Sequence, residues 1–139
     1  MDVITRTLSF HSPEGEIKDI TRLVTDSLRE TGLSDGIVTV FVPGATGAVS
    51  TIEYEPGLVE QDLPRALERI APRGEAYEHD AAWHDGNGYS HVRATMLGPS
   101  LTIPFTGKHL TLGTWQQVIF LNLDNRSRDR EVILQFMGK

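Results

Sequence analysis

The sequence predicts an α+β fold, with mainly antiparallel sheets, two main helices and a short third one. Three observations predict it. β-Branched, alternating segments recur along the chain, most of them adjacent in sequence and joined by short polar turns, which suits antiparallel pairing rather than parallel crossovers. Two other stretches place their apolar residues on one face at helical spacing. The chain has 139 residues and no cysteine, so it reads as one domain that must bury its own core without disulfides.

Taken in order, Val3 to Phe10 alternates and opens the chain with a strand. Between Asp19 and Arg29, Ile20, Leu23, Val24 and Leu28 share a helical face, and Gly32 is placed to end that helix. Gly36 to Val42 and Val49 to Tyr54 read as strands around a turn at Pro43-Gly44-Ala45-Thr46-Gly47. A second helix is expected from Val59 to Ile70, regular from Leu63, because Pro64 is tolerated only in a first turn. Tyr77 to Asn87 is polar, lacks a period and reads as a loop. Ser90 then caps a short helix through His91, Val92, Thr95 and Met96, ended by Gly98-Pro99. Strands follow at Ser100 to Pro104, Lys108 to Thr111, Trp115 to Leu123 and Arg130 to Phe136, the last two joined by a turn from Asp124 to Asp129.

Composition limits the function. A formal net charge of −6 argues against nucleic acid or an anionic membrane as the main partner, since counterion release needs clustered Lys and Arg. Without cysteine, any metal must be held by His and carboxylates. The start of the chain has no leader-like apolar run and no stretch approaches the ~18 apolar residues of a membrane span, so a cytoplasmic protein is expected.

Several residues carry possible chemistry. In a strand, Trp115 and Gln116 point to opposite faces, so Trp115 would fill the core while Gln116 offers its carboxamide to a neighbour or ligand. His79 and His91 are not at a helical interval, and on spacing alone they read as a capping ring and a solvent-facing ring more readily than as a metal pair. His84 shares their loop. Glu53 and Glu55 alternate around Tyr54, as a solvent edge or as part of a charged site, with Glu53 the candidate general base. Asp124, Arg126, Arg128 and Arg130 crowd one turn, where an arginine held by Asp124 could offer its fork to phosphate. Gly44 to Gly47 with Thr46 could present amides to an anion, but lacks the spacing and the lysine of a phosphate loop.

Tyr77-Glu78-His79-Asp80, Asn87, Ser90-His91-Val92, Leu97-Gly98-Pro99-Ser100-Leu101-Thr102-Ile103-Pro104 and Leu112-Gly113-Thr114-Trp115-Gln116-Gln117 together resemble the YjbQ family, also called the secondary thiamine-phosphate synthase family. The resemblance runs in order over nearly the whole chain and is most specific in its second half. It implies a compact α+β sandwich, a homotrimer and a pocket with a divalent metal, zinc above all, on His79 and His91. Glu53 matches the glutamate closing the family's first motif, and Asp62 an acidic position early in the second helix. The chain departs from the family at Gly44-Ala45-Thr46-Gly47, where a histidine, two small hydroxyl residues and alanine are usual; the third histidine's position is Gly44. His84, Glu53 or a water then completes the metal shell, or the site is metal-free and binds another anion.

The reaction implied joins a hydroxymethylpyrimidine diphosphate to a thiazole phosphate with release of pyrophosphate. It asks for cationic charge on the departing diphosphate and a pocket that excludes water. The resemblance then gives Glu53, Gln116, Asp124 and Arg128 catalytic roles, Thr46, Asn87 and Trp115 substrate contacts, and His79, His91 and His84 the metal. Two other classes use the same residues: a metal-assisted hydrolase of a small phosphorylated metabolite, and a trimer that only binds such a ligand.

Overall fold

A computed structural model describes residues 1–139. Its strands are β1 (Asp2–Ser12), β2 (Ile17–Asp19), β3 (Gly36–Phe41), β4 (Gly47–Ile52), β5 (Ser100–Thr106), β6 (His109–Leu110), β7 (Gln117–Asn122) and β8 (Arg128–Gly138). The helices are α1 (Thr21–Thr31), α2 (Leu63–Ile70), α3 (Glu78–Trp83) and α4 (Gly88–Leu97), and a π-helical turn at Gly57–Asp62 leads into α2. All strand pairs are antiparallel, in a five-stranded sheet β1-β8-β3-β5-β6 and a three-stranded sheet β2-β7-β4. The expected α+β class holds.

Alternation along the strands decides what faces inward. Val38 and Val40 of β3, Ile103 and Phe105 of β5, and Val132, Leu134 and Phe136 of β8 are buried against Val118 and Phe120 of β7 and against Val24 and Leu28 of α1. Each such side chain, fully buried, contributes roughly 1.5–3 kcal/mol. Gly32, in the left-handed region at φ 77°, closes α1 as its sequence position suggests. The other face of β7 buries Ile119 and Leu121 with Ala48, beneath Leu67 of α2 and Ala94 of α4. The three-stranded sheet is thus covered on both sides.

The outer face of the large sheet has no helix over it. There Val3, Met137, Ile37 and Pro104 form one row across four strands, and Thr7, Ile133, Phe41 and Ser100 form another. Val3, Ile37, Phe41 and Met137 are exposed. No helix is long and apolar enough to cross a membrane.

Several elements differ from the sequence reading. The expected loop at Tyr77 to Asn87 contains α3, whose six residues are too few to show a helical period. The last helix begins at Gly88 with Asn87 as its N-cap, so Ser90 lies inside it, buried. Trp115 precedes β7 in a turn and is 70% exposed, so it does not fill the core. Gly113-Thr114 ahead of it favours a turn over an extended strand. Similarly, β4 stops at Ile52, which leaves Glu53 and Glu55 beyond the strand, and β6 holds only His109 and Leu110 of the expected Lys108 to Thr111.

Candidate functional site

The register of β4 on β7 sets Gly47 opposite Asn122, which brings Thr46 against the start of the β7–β8 hairpin. There Asp124 is buried. The Thr46 hydroxyl donates to its Oδ2 at 2.9 Å, and Arg128 donates its Nε to the same oxygen at 2.8 Å. Arg130 Nη2 donates to Asn122 Oδ1 at 2.7 Å and to the Thr46 hydroxyl and carbonyl at 3.1 and 3.2 Å. Asn122 turns its amide to the carbonyls of Ser12, Pro13 and Arg126, which ties the hairpin to the end of β1.

Burial opposes the Asp124 charge, but the Thr46 hydroxyl and Arg128 outweigh it and hold the carboxyl below its ordinary range. Burial pushes the Arg130 guanidinium below its usual value; Asp124 offsets this, while Arg128 adds to it. Two buried atoms lack a partner, Asp124 Oδ1 and Arg130 Nε. Asp124 also lines a cavity of 120 Å³ with Arg73, Tyr89 and Arg93.

The histidines meet one layer away. α3 ends with His84 in the left-handed region at φ 55°, which turns the chain back toward α4. Asp80 Oδ1 accepts the Gly88 amide at 2.9 Å, and Asp85 Oδ1 accepts the Asn87 amide at 3.1 Å, so both carboxylates fix the α3–α4 joint. The rings of His79 and His91 are then 4.6 Å apart between centroids and tilted by 53°. His79 Nε2 lies 3.4 Å from Asp85 Oδ2. Desolvation raises the Asp85 pKa, but the Asn87 amide and His79 prevail and lower it. Asn87 spends its carboxamide oxygen on Ser90. The Asn125 side chain donates to the Asp85 carbonyl at 2.9 Å and joins the histidine joint to the hairpin turn.

Six of the ten candidate residues therefore fall into one connected region: Thr46, Asp124 and Arg128 directly, and His79, His91 and Asn87 through Asp85 and Asn125. The other four do not join them. His84 is exposed at the end of α3. Glu53 follows the far end of β4, where Ile52 pairs with Gln117, and at about 3.3 Å per residue this is roughly 20 Å from Thr46. Gln116 closes its own turn, its Oε1 accepting the Gly113 amide and its Nε2 donating to Thr51, both at 3.0 Å. Trp115 is open beside it. Glu55, paired with Glu53 on the sequence reading, instead accepts the amides of Gly57 and Leu58 at the start of the π-helical turn.

The family profile described as UPF0047 protein YjbQ-like matches residues 6–139. The chain belongs to the YjbQ family. It is 39% identical over 120 residues to a UPF0047 protein of Archaeoglobus fulgidus, covering 86% of this chain and 90% of that one. A UPF0047 protein of Methanothermobacter thermautotrophicus is 36% identical over 140 residues, covering 100% and 95%. Among solved structures, a YbjQ-like protein of unknown function from Sulfolobus solfataricus superposes with a TM-score of 0.89 at 26% identity, over 99% of this chain and 100% of its own. A YjbQ/UPF0047 protein of Clostridium acetobutylicum gives 0.83 at 32% identity, over 96% and 99%.

The YjbQ resemblance implies a metal, and the donor set can be compared with that demand. A catalytic zinc takes about three protein ligands and a structural one about four. The joint supplies two imidazoles, one of them already facing Asp85, and no group of three or more His, Asp or Glu side chains converges anywhere in the chain. At the third YjbQ position, Gly44, a Cβ would stand 3.8 Å from Arg130 Nη1, so that position faces a guanidinium. The donors of one chain do not fit a resident zinc.

Proposed function

We propose that this YjbQ-family protein binds a small phosphorylated metabolite where the His79–His91 joint meets the Asp124–Arg128 turn, and that it catalyses the secondary thiamine-phosphate synthase reaction there. The observation that carries the reading is the Asn125 bond to the Asp85 carbonyl, which ties the loop next to the imidazole pair to the turn that carries a carboxylate-held arginine. Arg128 spends Nε on Asp124, its side chain is 39% exposed, and its remaining nitrogens form a donor edge suited to phosphate.

In the reaction the bond from the pyrimidine methylene carbon to the diphosphate oxygen breaks, a bond from that carbon to the thiazole nitrogen forms, and pyrophosphate leaves. Arg128 binds the departing charge. The imidazole pair offers N–H donors to it, with Asp85 holding the His79 ring in place. No step passes through a metal. The assembly proposed is a homotrimer, and the exposed Val3, Ile37, Phe41 and Met137 on the uncovered face of the large sheet support it.

The test mixes the purified protein with the pyrimidine diphosphate and the thiazole phosphate, and measures thiamine phosphate and pyrophosphate. Both are expected in equal amounts, with at least a tenfold loss in Arg128→Ala and in His79→Ala. Absence of product from folded protein overturns the transfer reaction. A binding-only protein is the second reading, favoured by Gly44 in place of a reactive side chain, and it gives saturable phosphate-ligand binding with no product.

A further inference from the structure

Arg130 is 91% removed from solvent, and no carboxylate lies within ion-pair distance of it. Its Nη2 is satisfied entirely by neutral oxygens, those of Thr46 and Asn122. Its Nε is sealed in without an acceptor, and its Nη1 donates to none. Asp124, the one carboxylate of this network, is paired with the partly exposed Arg128, so the buried Arg130 guanidinium has no ion-pair partner of its own. One positive charge is left over inside an acidic protein, and a buried unpaired charge is costly.

Arg130 also lines a cleft of 590 Å³ between the ends of β1 and β8 and the segment Val42-Pro43. Phe10, Val42 and Pro43 give that cleft an apolar wall, and Ser9 and His11 a polar one. Its volume falls in the range of small-molecule sites, about 300–1,000 Å³. Gly44 stands at Nη1 with no side chain to cover it. Two carboxylates edge the cleft: Asp129 is bound to His11 at 2.9 Å, and Glu131 is exposed.

We infer that this cleft is a second ligand site, which takes a small organic acid by its carboxylate on Arg130 Nη1 and by its apolar body on Phe10 and Pro43. A carboxylate monoanion matches the one guanidinium charge of Arg130, whereas a phosphate dianion exceeds it and is repelled more strongly by Asp129 and Glu131, so this site is separate in chemistry and in place from the phosphate reading at Arg128.

Benzoate is the probe, followed by amide shifts in a nuclear magnetic resonance titration, with inorganic phosphate titrated separately. Saturable shifts centred on Phe10, Pro43-adjacent Gly44 and Arg130 are expected, and phosphate should not displace the benzoate. Gly44→Leu is the decisive variant. A Cβ there meets only Nη1, at an ordinary contact distance, so the fold is kept while the donor is covered, and affinity should fall at least tenfold. Arg130→Met should abolish binding wherever it folds. Benzoate that fails to saturate, binds Gly44→Leu as well as wild type, or is displaced by phosphate overturns the inference.

Discussion

Asp124 shows how much one side chain can hold. It accepts from Thr46 and Arg128 with Oδ2, and it is the only carboxylate within the network that also contains Arg130. Replacing it with Asn keeps the shape but removes the partner of Arg128 and the one negative charge in the network of Arg130; a fully buried pair costs about 3 kcal/mol to break, and the partial exposure of Arg128 lowers this to about 2 kcal/mol. Chemical denaturation of Asp124→Asn at pH 7 should show that loss. The pH dependence follows from the lowered pKa. A carboxyl with a depressed folded pKa stabilises the protein fully above its unfolded value, about 3.9, and loses that contribution as pH falls toward the folded value. The gap between wild type and Asp124→Asn should therefore stay constant from neutral pH down to about 4 and close below it. A gap unchanged at pH 3 would assign the loss to shape rather than charge.

At the scale of elements, the α3–α4 joint decides whether the histidines meet. Gly88 begins α4 where a Cβ would come 2.5 Å from Tyr77 Cβ and 2.8 Å from its Cγ, so the two helices close only over a glycine. Gly88→Ala must push Tyr77 away, and overpacking of this kind costs about 1–3 kcal/mol. The variant should lose that much stability and also separate the imidazoles, read as a larger fall in product formation than in phosphate-ligand binding. This joint was only half legible in the sequence. His79, Asp80, Asp85 and Asn87 are all visible there, but the bonds of Asp80 to Gly88 and Asp85 to Asn87 belong to a turn that no periodic pattern announces. By contrast, the long strands were legible because alternation repeats over many residues, and β8 is the case in point. Its alternation also carried an unused signal. Arg130 has the inward parity of Val132, Leu134 and Phe136, and a charged residue at core parity marks a polar network. Glu53 lies apart from this region for a reason of length along a strand. Position along β4 sets distance, and β4 carries Glu53 to the far end from Thr46.

The whole molecule has one feature that no single element explains. A two-sheet fold normally leaves polar side chains on an outer face, yet here Ile37, Phe41, Met137 and Val3 stand exposed across neighbouring strands. Exposed apolar side chains on an uncovered sheet, here the row Val3, Met137, Ile37 and Pro104 with Phe41 beyond the polar row of Thr5, Gln135, Thr39 and Thr102, are the kind of surface that proteins bury in an assembly. The core is complete without them, because Val38, Val40, Leu134 and Phe136 hold the other face. A charge placed on this surface should therefore disturb association and not folding. Phe41→Asp is the chosen variant, since Phe41 is open and its cross-strand partner Ile133 is only partly buried. Native mass spectrometry should give a trimer for wild type and a monomer for Phe41→Asp, with circular dichroism unchanged. A wild type already monomeric at micromolar concentration would remove the trimer from the proposed function. A trimer that survives Phe41→Asp would move the interface off this sheet, to the helical side that carries the histidine joint.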